Sequence, residues 1–200
     1  MAGTSGNGGV LPERRAVVAA VLDQRPDDLL IVTGLGSPTY DVAACGDNPL
    51  NFHLWGAMGL ALPVGLGLAL ARPANRVLVV TGDGEMLMGL GSLATVGVKR
   101  PGNLAVLVLD NEAYGETGGQ ASHTAHGVDL CAVALGCGFA ATRSAGQAGD
   151  LAGLRGFLIA EPGPVLAVAK IDRKEVKRVM PPRDGHHLRQ RFRTALSGGV

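Results

Sequence analysis

The chain has 200 residues, of which 46% are hydrophobic and 18% are charged, a balance that suits one folded domain and excludes a wholly disordered protein. A formal net charge of +1 and an aromatic content of 4% argue against a nucleic-acid-binding protein. The apolar run over residues 56–71 is shorter than the ~20 residues that a membrane span needs. Three cysteines without a CxxC pair, and a first segment without an apolar stretch, predict a cytoplasmic protein with reduced thiols.

The elements alternate along the chain. We predict a flexible N-terminus over residues 1–10 and one domain over residues 11–170. Strands are predicted at 29–32, 76–80, 104–109, near 139 and at 165–168, and helices at 13–24, 59–71, 85–98, 128–136 and 148–156. Residues 34–39 are predicted to form a loop. Continuous apolar strands that alternate with helices predict an α/β fold, a doubly wound parallel sheet with helices on both faces.

The last segment, residues 171–200, differs in charge from the rest. Residues 170–200 contain nine of the 18 Lys and Arg residues but three of the 17 Asp and Glu residues. We predict a basic, helical C-terminal tail, which would be either a solvated terminal helix or a surface that docks on an acidic partner.

Two predicted strands are followed by oxygen ligands. Asp83 follows the strand RVLVV within Gly82-Asp83-Gly84, and Asn111 follows LAVLVL. In a doubly wound sheet, ligands bind beyond the carboxyl ends of the strands. A carboxylate and an amide oxygen suit Mg²⁺, and the two glycines let the backbone approach a ligand. The helix predicted from Glu85 offers N–H groups to phosphate oxygens, so these residues predict a Mg²⁺ site with a phosphorylated ligand.

This pattern resembles a known cofactor motif. Gly82-Asp83-Gly84 followed by Asp110-Asn111 is similar to the thiamine-diphosphate motif GDG…NN, with Asp110 in place of the first Asn. The likeness extends over NFHLWGAMGLALPVGLGLALARP (51–73), TGDGEMLMGLGSLATVG (81–97) and LDNEAYGETGGQ (109–120). It is greatest to the diphosphate-binding domain of phosphonopyruvate decarboxylases and to the beta subunit of sulfopyruvate decarboxylases.

The resemblance implies thiamine diphosphate and Mg²⁺ as cofactors. The metal ligands would be Asp83, Asn111 and the backbone carbonyl of Ala113. Met58 resembles the apolar residue under the thiazolium ring, and the Gly56 carbonyl would accept from the 4′-amino group. The cofactor-binding residues predicted in this way are Gly56, Met58, Gly82, Asp83, Gly84, Glu85, Met86, Asn111, Tyr114 and Gly115.

One residue departs from the family pattern. Glu85 stands where the family usually has Ser, and near a diphosphate we expect its carboxylate to point away while its N–H group donates. The loop from Tyr114 to Thr117 resembles the segment that borders cofactor and substrate. Ser37 and Thr39, after the first strand, are further candidates for contact with the diphosphate. The catalytic candidates within the chain are His53 and Glu116.

The essential glutamate of the family belongs to its pyrimidine-binding half, and no glutamate here has a matching context. The resemblance therefore implies a separate alpha subunit and a hetero-oligomer. The implied reaction is decarboxylation of a small 2-oxo acid with an anionic 3-substituent, sulfopyruvate or phosphonopyruvate, to CO₂ and an aldehyde. An acetolactate-synthase-like carboligase subunit and a non-catalytic subunit that retains the fold stay open. Dinucleotide-binding and P-loop proteins are disfavoured, since neither GxGxxG nor GxxxxGK[ST] occurs.

Overall fold

The computed structural model describes residues 10–198, so nearly all of the predicted flexible N-terminus lies outside the described residues. The strands are β1 (Leu30–Thr33), β2 (Asn51–His53), β3 (Val77–Gly82), β4 (Leu104–Asp110), β5 (Ala113–Tyr114), β6 (Gln120–Ala121), β7 (Ala141–Ala145) and β8 (Val165–Lys170). The helices are α1 (Arg14–Leu22), α2 (Ser37–Ala44), α3 (Ala61–Ala71), α4 (Asp83–Met88), α5 (Ser92–Lys99), α6 (Leu130–Gly136), α7 (Leu154–Ile159) and α8 (Gly185–Leu196). Among these helices, none combines the length and the apolar character that crossing a bilayer requires.

Six strands form one parallel sheet in the order β2-β1-β3-β4-β8-β7, and β5 and β6 form a separate antiparallel hairpin. Along β3, Val77 and Val79 pack into one core, while Leu78 and Val80 pack into the other. Helices α3, α5 and α6 cover the first face, and α1 and α7 cover the second. The predicted doubly wound α/β fold is therefore confirmed.

The register of the sheet brings several chain segments to one edge. Gly82 of β3 lies opposite Leu109 of β4, and Asp110 of β4 lies opposite Lys170 of β8. Because all six strands are parallel, the residues that follow β1, β3, β4 and β8 meet at the same carboxyl edge. The site predicted at Asp83 and Asn111 requires that the residues after β3 and β4 meet at one edge of the sheet.

Three predicted elements differ from the structure. The helix predicted over residues 85–98 is two helices, α4 and α5, with turns at residues 89–91, and α4 begins at Asp83. Gly89 and Gly91 lie in these turns, and each glycine disfavours a continuous helix by roughly 1 kcal/mol. The helix predicted over residues 148–156 is a 3-10 helix over Ala148–Gly153 followed by α7, which ends at Ile159. The loop predicted over residues 34–39 is also shorter, because α2 begins at Ser37.

The C-terminal tail is helical only over α8. Residues 172–184, which we call the strap, have no regular secondary structure and run across the protein surface. The Trp55 indole donates to the carbonyl of Pro182 at 3.1 Å. Further on, Phe192 of α8 packs on Phe52 of β2 with ring centroids 5.3 Å apart, and Arg191 pairs with Asp47 at 2.6 Å. The tail therefore packs against its own chain.

Candidate functional site

A cavity of about 150 Å³ opens at the carboxyl edge of the sheet. It lies where β1, β3 and β4 end, and the hairpin loop after β4 forms one wall. The predicted residues that line it are Ser37, Met58, Gly82, Asp83, Gly84, Glu85, Asn111, Ala113, Tyr114, Gly115, Glu116 and Thr117. Residues that are far apart in the chain thus converge where the strand ends predicted a site.

The three predicted metal ligands share this cavity. Asp83 is 2% exposed, and burial raises the pKa of its carboxyl, an effect that the Ser122 hydroxyl partly offsets. Asn111 lies in a tight turn in which its Oδ1 accepts from the Ala113 N–H at 3.1 Å, so the two residues stay together. In the described part of the chain, no three His, Cys, Asp or Glu side chains converge as a metal site. A single carboxylate with amide and carbonyl oxygens fits a hard cation such as Mg²⁺.

The Gly84 backbone packs closely against an aromatic ring beside these oxygens. A Cβ at Gly84 would come within 2.7 Å of the Tyr114 ring and 3.7 Å of the terminal methyl of Met58. Met58 is 38% exposed and lines the cavity, so its side chain is not a core residue. Gly84, Tyr114 and Met58 therefore form an apolar corner next to the metal-ligand candidates.

Glu85 directs its carboxylate into the protein. Thr81 donates to its Oε2 at 2.8 Å, and a Cβ at Gly34 would overlap the carboxylate. The side chain is 6% exposed and its Oε1 lacks a hydrogen-bond partner within the described residues. Burial raises the pKa of Glu85, an effect that the Thr81 hydroxyl partly offsets.

Several predicted residues lie outside the cavity lining. Gly56 does not line it, and the Met86 side chain is 2% exposed within the core, so only its backbone is available to a ligand.

His53 is buried at the end of β2, with its Nδ1 3.1 Å from the Thr33 hydroxyl. Burial, with a smaller contribution from Arg191, lowers the pKa of His53 to about 4. Thr39 is buried and donates to the Gly34 carbonyl at 2.8 Å, so it holds the β1–α2 turn.

The sequence did not indicate four residues at or beneath the site. Arg14 lines the cavity, with its Nε 3.3 Å from Asp41. Ser122, Thr124 and Lys170 lie beneath it and contact the strand-end acids. Each comes from a segment distant in sequence, and neither motif nor spacing pointed to them. The Gly118-Gly119 turn was the available signal for a hairpin that returns Ser122 to the site.

Comparison with known families assigns the chain that carries this site to a family. Residues 35–168 match the family model described as thiamine pyrophosphate enzyme, C-terminal TPP binding domain. The chain is a thiamine pyrophosphate enzyme domain. The match spans both strand ends that carry Asp83 and Asn111, and it confirms the family that the GDG…DN pattern resembled.

Individual relatives agree with this assignment. Phosphonopyruvate decarboxylase of Streptomyces viridochromogenes is 42% identical over 161 residues, which cover 80% of this chain and 40% of that protein. Sulfopyruvate decarboxylase subunit beta of Methanocaldococcus jannaschii is 39% identical over 127 residues, which cover 64% of this chain and 67% of that subunit. The thiamine pyrophosphate enzyme domain thus spans less than half the length of the Streptomyces protein.

The fold is shared more widely than the sequence. The crystal structure of benzoylformate decarboxylase from Polynucleobacter necessarius superposes with a TM-score of 0.69 at 20% identity, over 84% of this chain and 34% of that one. At that identity the likeness establishes the fold of the thiamine pyrophosphate enzyme domain.

Proposed function

We propose that this chain is the diphosphate- and Mg²⁺-binding subunit of a split thiamine-diphosphate-dependent 2-oxo acid decarboxylase. The observation that carries the proposal is the convergence of Asp83, Asn111 and Ala113 on one cavity, where Gly84 lies close to the Tyr114 ring. This cavity lies beyond the carboxyl ends of β3 and β4, which is where doubly wound sheets bind their ligands.

The metal and the diphosphate would be held by different groups. The Asp83 carboxylate, the Asn111 amide oxygen and the Ala113 carbonyl would ligate Mg²⁺. The N–H groups of Gly84, Glu85 and Met86 at the start of α4 would donate to the diphosphate, and Gly82 leaves the backbone uncovered there. The Glu85 carboxyl, which accepts from Thr81 inside the protein, would point away from the diphosphate.

The thiazolium end of the cofactor would lie against the apolar corner. Met58 would support the ring from below, the Gly56 carbonyl would accept from the 4′-amino group, and Tyr114 and Gly115 would border it. Thiamine diphosphate, when bound, supplies an electron sink for the pair left by departing CO₂. The protein's part is to orient the cofactor and to exclude water from the reacting carbon.

A partner subunit would complete the site. The two glutamates at the cavity have contacts within this chain, since Glu85 is buried beside Thr81 and Glu116 lies 3.3 Å from Arg178 in an exposed ion pair. Met58, Leu60 and Met88 are 38%, 49% and 67% exposed, and the backbone at Gly59 touches that at Met88 and Gly89. This apolar surface beside the cavity supports docking of a separate alpha subunit that carries the pyrimidine-binding half.

The substrate would be a small 2-oxo acid with an anionic 3-substituent. Support comes from the relatives named as phosphonopyruvate and sulfopyruvate decarboxylases. The products would be CO₂ and the corresponding aldehyde. The three cysteines are free thiols, which supports a reducing, cytoplasmic compartment.

The test is the binding of thiamine diphosphate to the chain in the presence of Mg²⁺, measured by titration calorimetry. We expect the unaltered chain to bind and Asp83→Asn to bind at least tenfold more weakly, because the variant loses the one carboxylate among the proposed metal ligands. Asp27→Asn is the matched control, since Asp27 is exposed and distant from the cavity. Equal affinities in the unaltered chain and Asp83→Asn would refute the proposed metal site.

A further inference from the structure

The two carboxylates at the ends of β3 and β4 are joined by two buried hydroxyls. Ser122 donates to Oδ2 of Asp83, and Thr124 donates to Oδ1 of Asp110 at 2.8 Å. The two hydroxyl oxygens are 2.8 Å apart, and Thr124 also lies 3.4 Å from Oδ2 of Asp83. We call Ser122 and Thr124 the hydroxyl bridge. Ser122 is completely buried, and Thr124 is 6% exposed.

The bridge is anchored at its far end by an ion pair. Asp110 is 2% exposed, and its Oδ2 lies 2.8 Å from the ammonium of Lys170, directly across the sheet. The Glu112 N–H donates to Oδ1 of Asp110 at 2.9 Å, so both oxygens of this acid are engaged. Asp110 is therefore a fixed acceptor, and Thr124 is held by it.

The hairpin fixes the near end of the bridge. Ala113 of β5 pairs with Ala121 of β6, and the Ser122 N–H donates to the Glu112 carbonyl at 3.1 Å. The same hairpin that carries Ala113 thus carries Ser122 over Asp83. The Ser122 hydroxyl donates to Oδ2 of Asp83, while the single Thr124 proton goes to Asp110, and no side chain of the described residues hydrogen-bonds Oδ1 of Asp83. The backbone N–H groups of Asp83 and Gly84 also reach this carboxylate.

We propose that Ser122 and Thr124 are positioning residues that hold the Asp83 carboxylate in one orientation, with Oδ2 occupied and Oδ1 directed to Mg²⁺. The inference rests on the proposed metal role of Asp83. Without the hydroxyl bridge, the Asp83 carboxylate would rotate about its Cβ–Cγ bond. Metal binding would then have to restrict this rotation, and the lost conformational entropy would weaken the affinity. Loss of such an outer partner typically weakens metal affinity about 10- to 100-fold.

The experiment measures the affinity of the chain for Mn²⁺, which serves as a probe of the Mg²⁺ site. The electron paramagnetic resonance signal of the free ion gives the unbound concentration, at a fixed excess of thiamine diphosphate. We expect Ser122→Ala and Thr124→Val to bind Mn²⁺ about tenfold more weakly or worse than the unaltered chain. Thr124→Ser keeps the hydroxyl and should stay within about threefold of the unaltered chain. Ser144→Ala, at an exposed position of β7, is the matched control and should not change the affinity.

A purely structural role gives a different pattern. If the hydroxyls only stabilise the fold, the midpoints of thermal unfolding fall while folded Ser122→Ala and Thr124→Val bind Mn²⁺ within twofold of the unaltered chain, and the inference is overturned. It is also overturned if Thr124→Ser loses as much affinity as Thr124→Val. If Ser122→Ala does not fold, the Thr124 pair decides. An unaltered chain that binds no Mn²⁺ with thiamine diphosphate, either alone or in the complex with its partner subunit, refutes the proposed function itself.

Discussion

At Gly84, the backbone comes so close to the Tyr114 ring that no side chain fits between them. A Cβ there would lie 2.7 Å from the ring, which would push Tyr114 towards the cavity. We expect Gly84→Ala to weaken thiamine diphosphate binding at least tenfold in titration calorimetry with Mg²⁺, because the displaced Tyr114 ring would occupy part of the cavity.

The control for this variant is Gly67→Ala. Gly67 is exposed on α3 and a Cβ there meets no atom within 4 Å. Its binding should not change, and its unfolding temperature should stay equal or rise, because Ala favours a helix over Gly by roughly 0.5–1 kcal/mol. Equal weakening in both variants would contradict the steric role of Gly84.

His53 should make the stability of the chain depend on pH. Burial lowers its pKa from 6.5 to about 4, with a smaller contribution from Arg191. Between these values the unfolded chain binds a proton that the folded chain does not, so stability falls as the pH drops from 6.5 to 4. At pH 4.5 a shift of this size corresponds to a loss of roughly 2–3 kcal/mol.

We expect His53→Asn to lose less unfolding free energy than the unaltered chain between pH 7 and pH 4.5, as measured by urea denaturation. His186→Asn is the control, since His186 is exposed on α8 and should leave the pH dependence unchanged. The same pH dependence in His53→Asn and the unaltered chain would show that His53 is not buried in its neutral form.

The sequence predicted some site residues and missed others for a physical reason. Asp83 and Asn111 were predictable because each directly follows a continuous apolar strand. Ser122 and Thr124 were not, because their contacts with Asp83 span 39 and 41 residues and depend on how the hairpin folds back. Arg14 was missed likewise, since its place at the cavity depends on the packing of α1.

Helix α8 is held to the sheet edge by a small apolar contact. Phe192 is 6% exposed and packs on Phe52 of β2. We expect Phe192→Ala to lower the free energy of unfolding by about 3 kcal/mol in urea denaturation, since it leaves a cavity between α8 and β2. Arg189→Ala, at an exposed position of the same helix, should change it by less than about 0.5 kcal/mol. Equal stability of Phe192→Ala and the unaltered chain would mean that α8 does not depend on this contact.

At the level of elements, periodicity located the strands better than the helix ends. Each strand of the large sheet except β2 lies at or near a predicted apolar run. The three residues of β2 are too few for a periodic signal, and they pair only with β1 at the sheet edge. The turns at residues 89–91 contain Gly89 and Gly91, and Gly89 lies against the Gly59 backbone, a contact that the sequence of that segment does not specify.

Across the whole molecule, the parallel sheet brings residues that are distant in sequence together at one site. Strand order was not predictable, since nothing in the apolar runs states which strands are neighbours. The central β1-β3-β4 arrangement nonetheless brings Gly34, Asp83 and Asn111 to one edge, with the β8 strand adding Lys170 beneath them. The strap then crosses this edge, where Arg173 donates to the Asn111 carbonyl at 2.9 Å.

The most direct test of the split-enzyme proposal is native mass spectrometry of this chain, isolated from its own host in Mg²⁺ and thiamine diphosphate. We expect a hetero-oligomer with a second chain of pyrimidine-binding-domain size and with thiamine diphosphate bound. Such a complex should release CO₂ and an aldehyde from sulfopyruvate or phosphonopyruvate. A homo-oligomer without cofactor would contradict the proposal and favour a non-catalytic subunit that retains the fold.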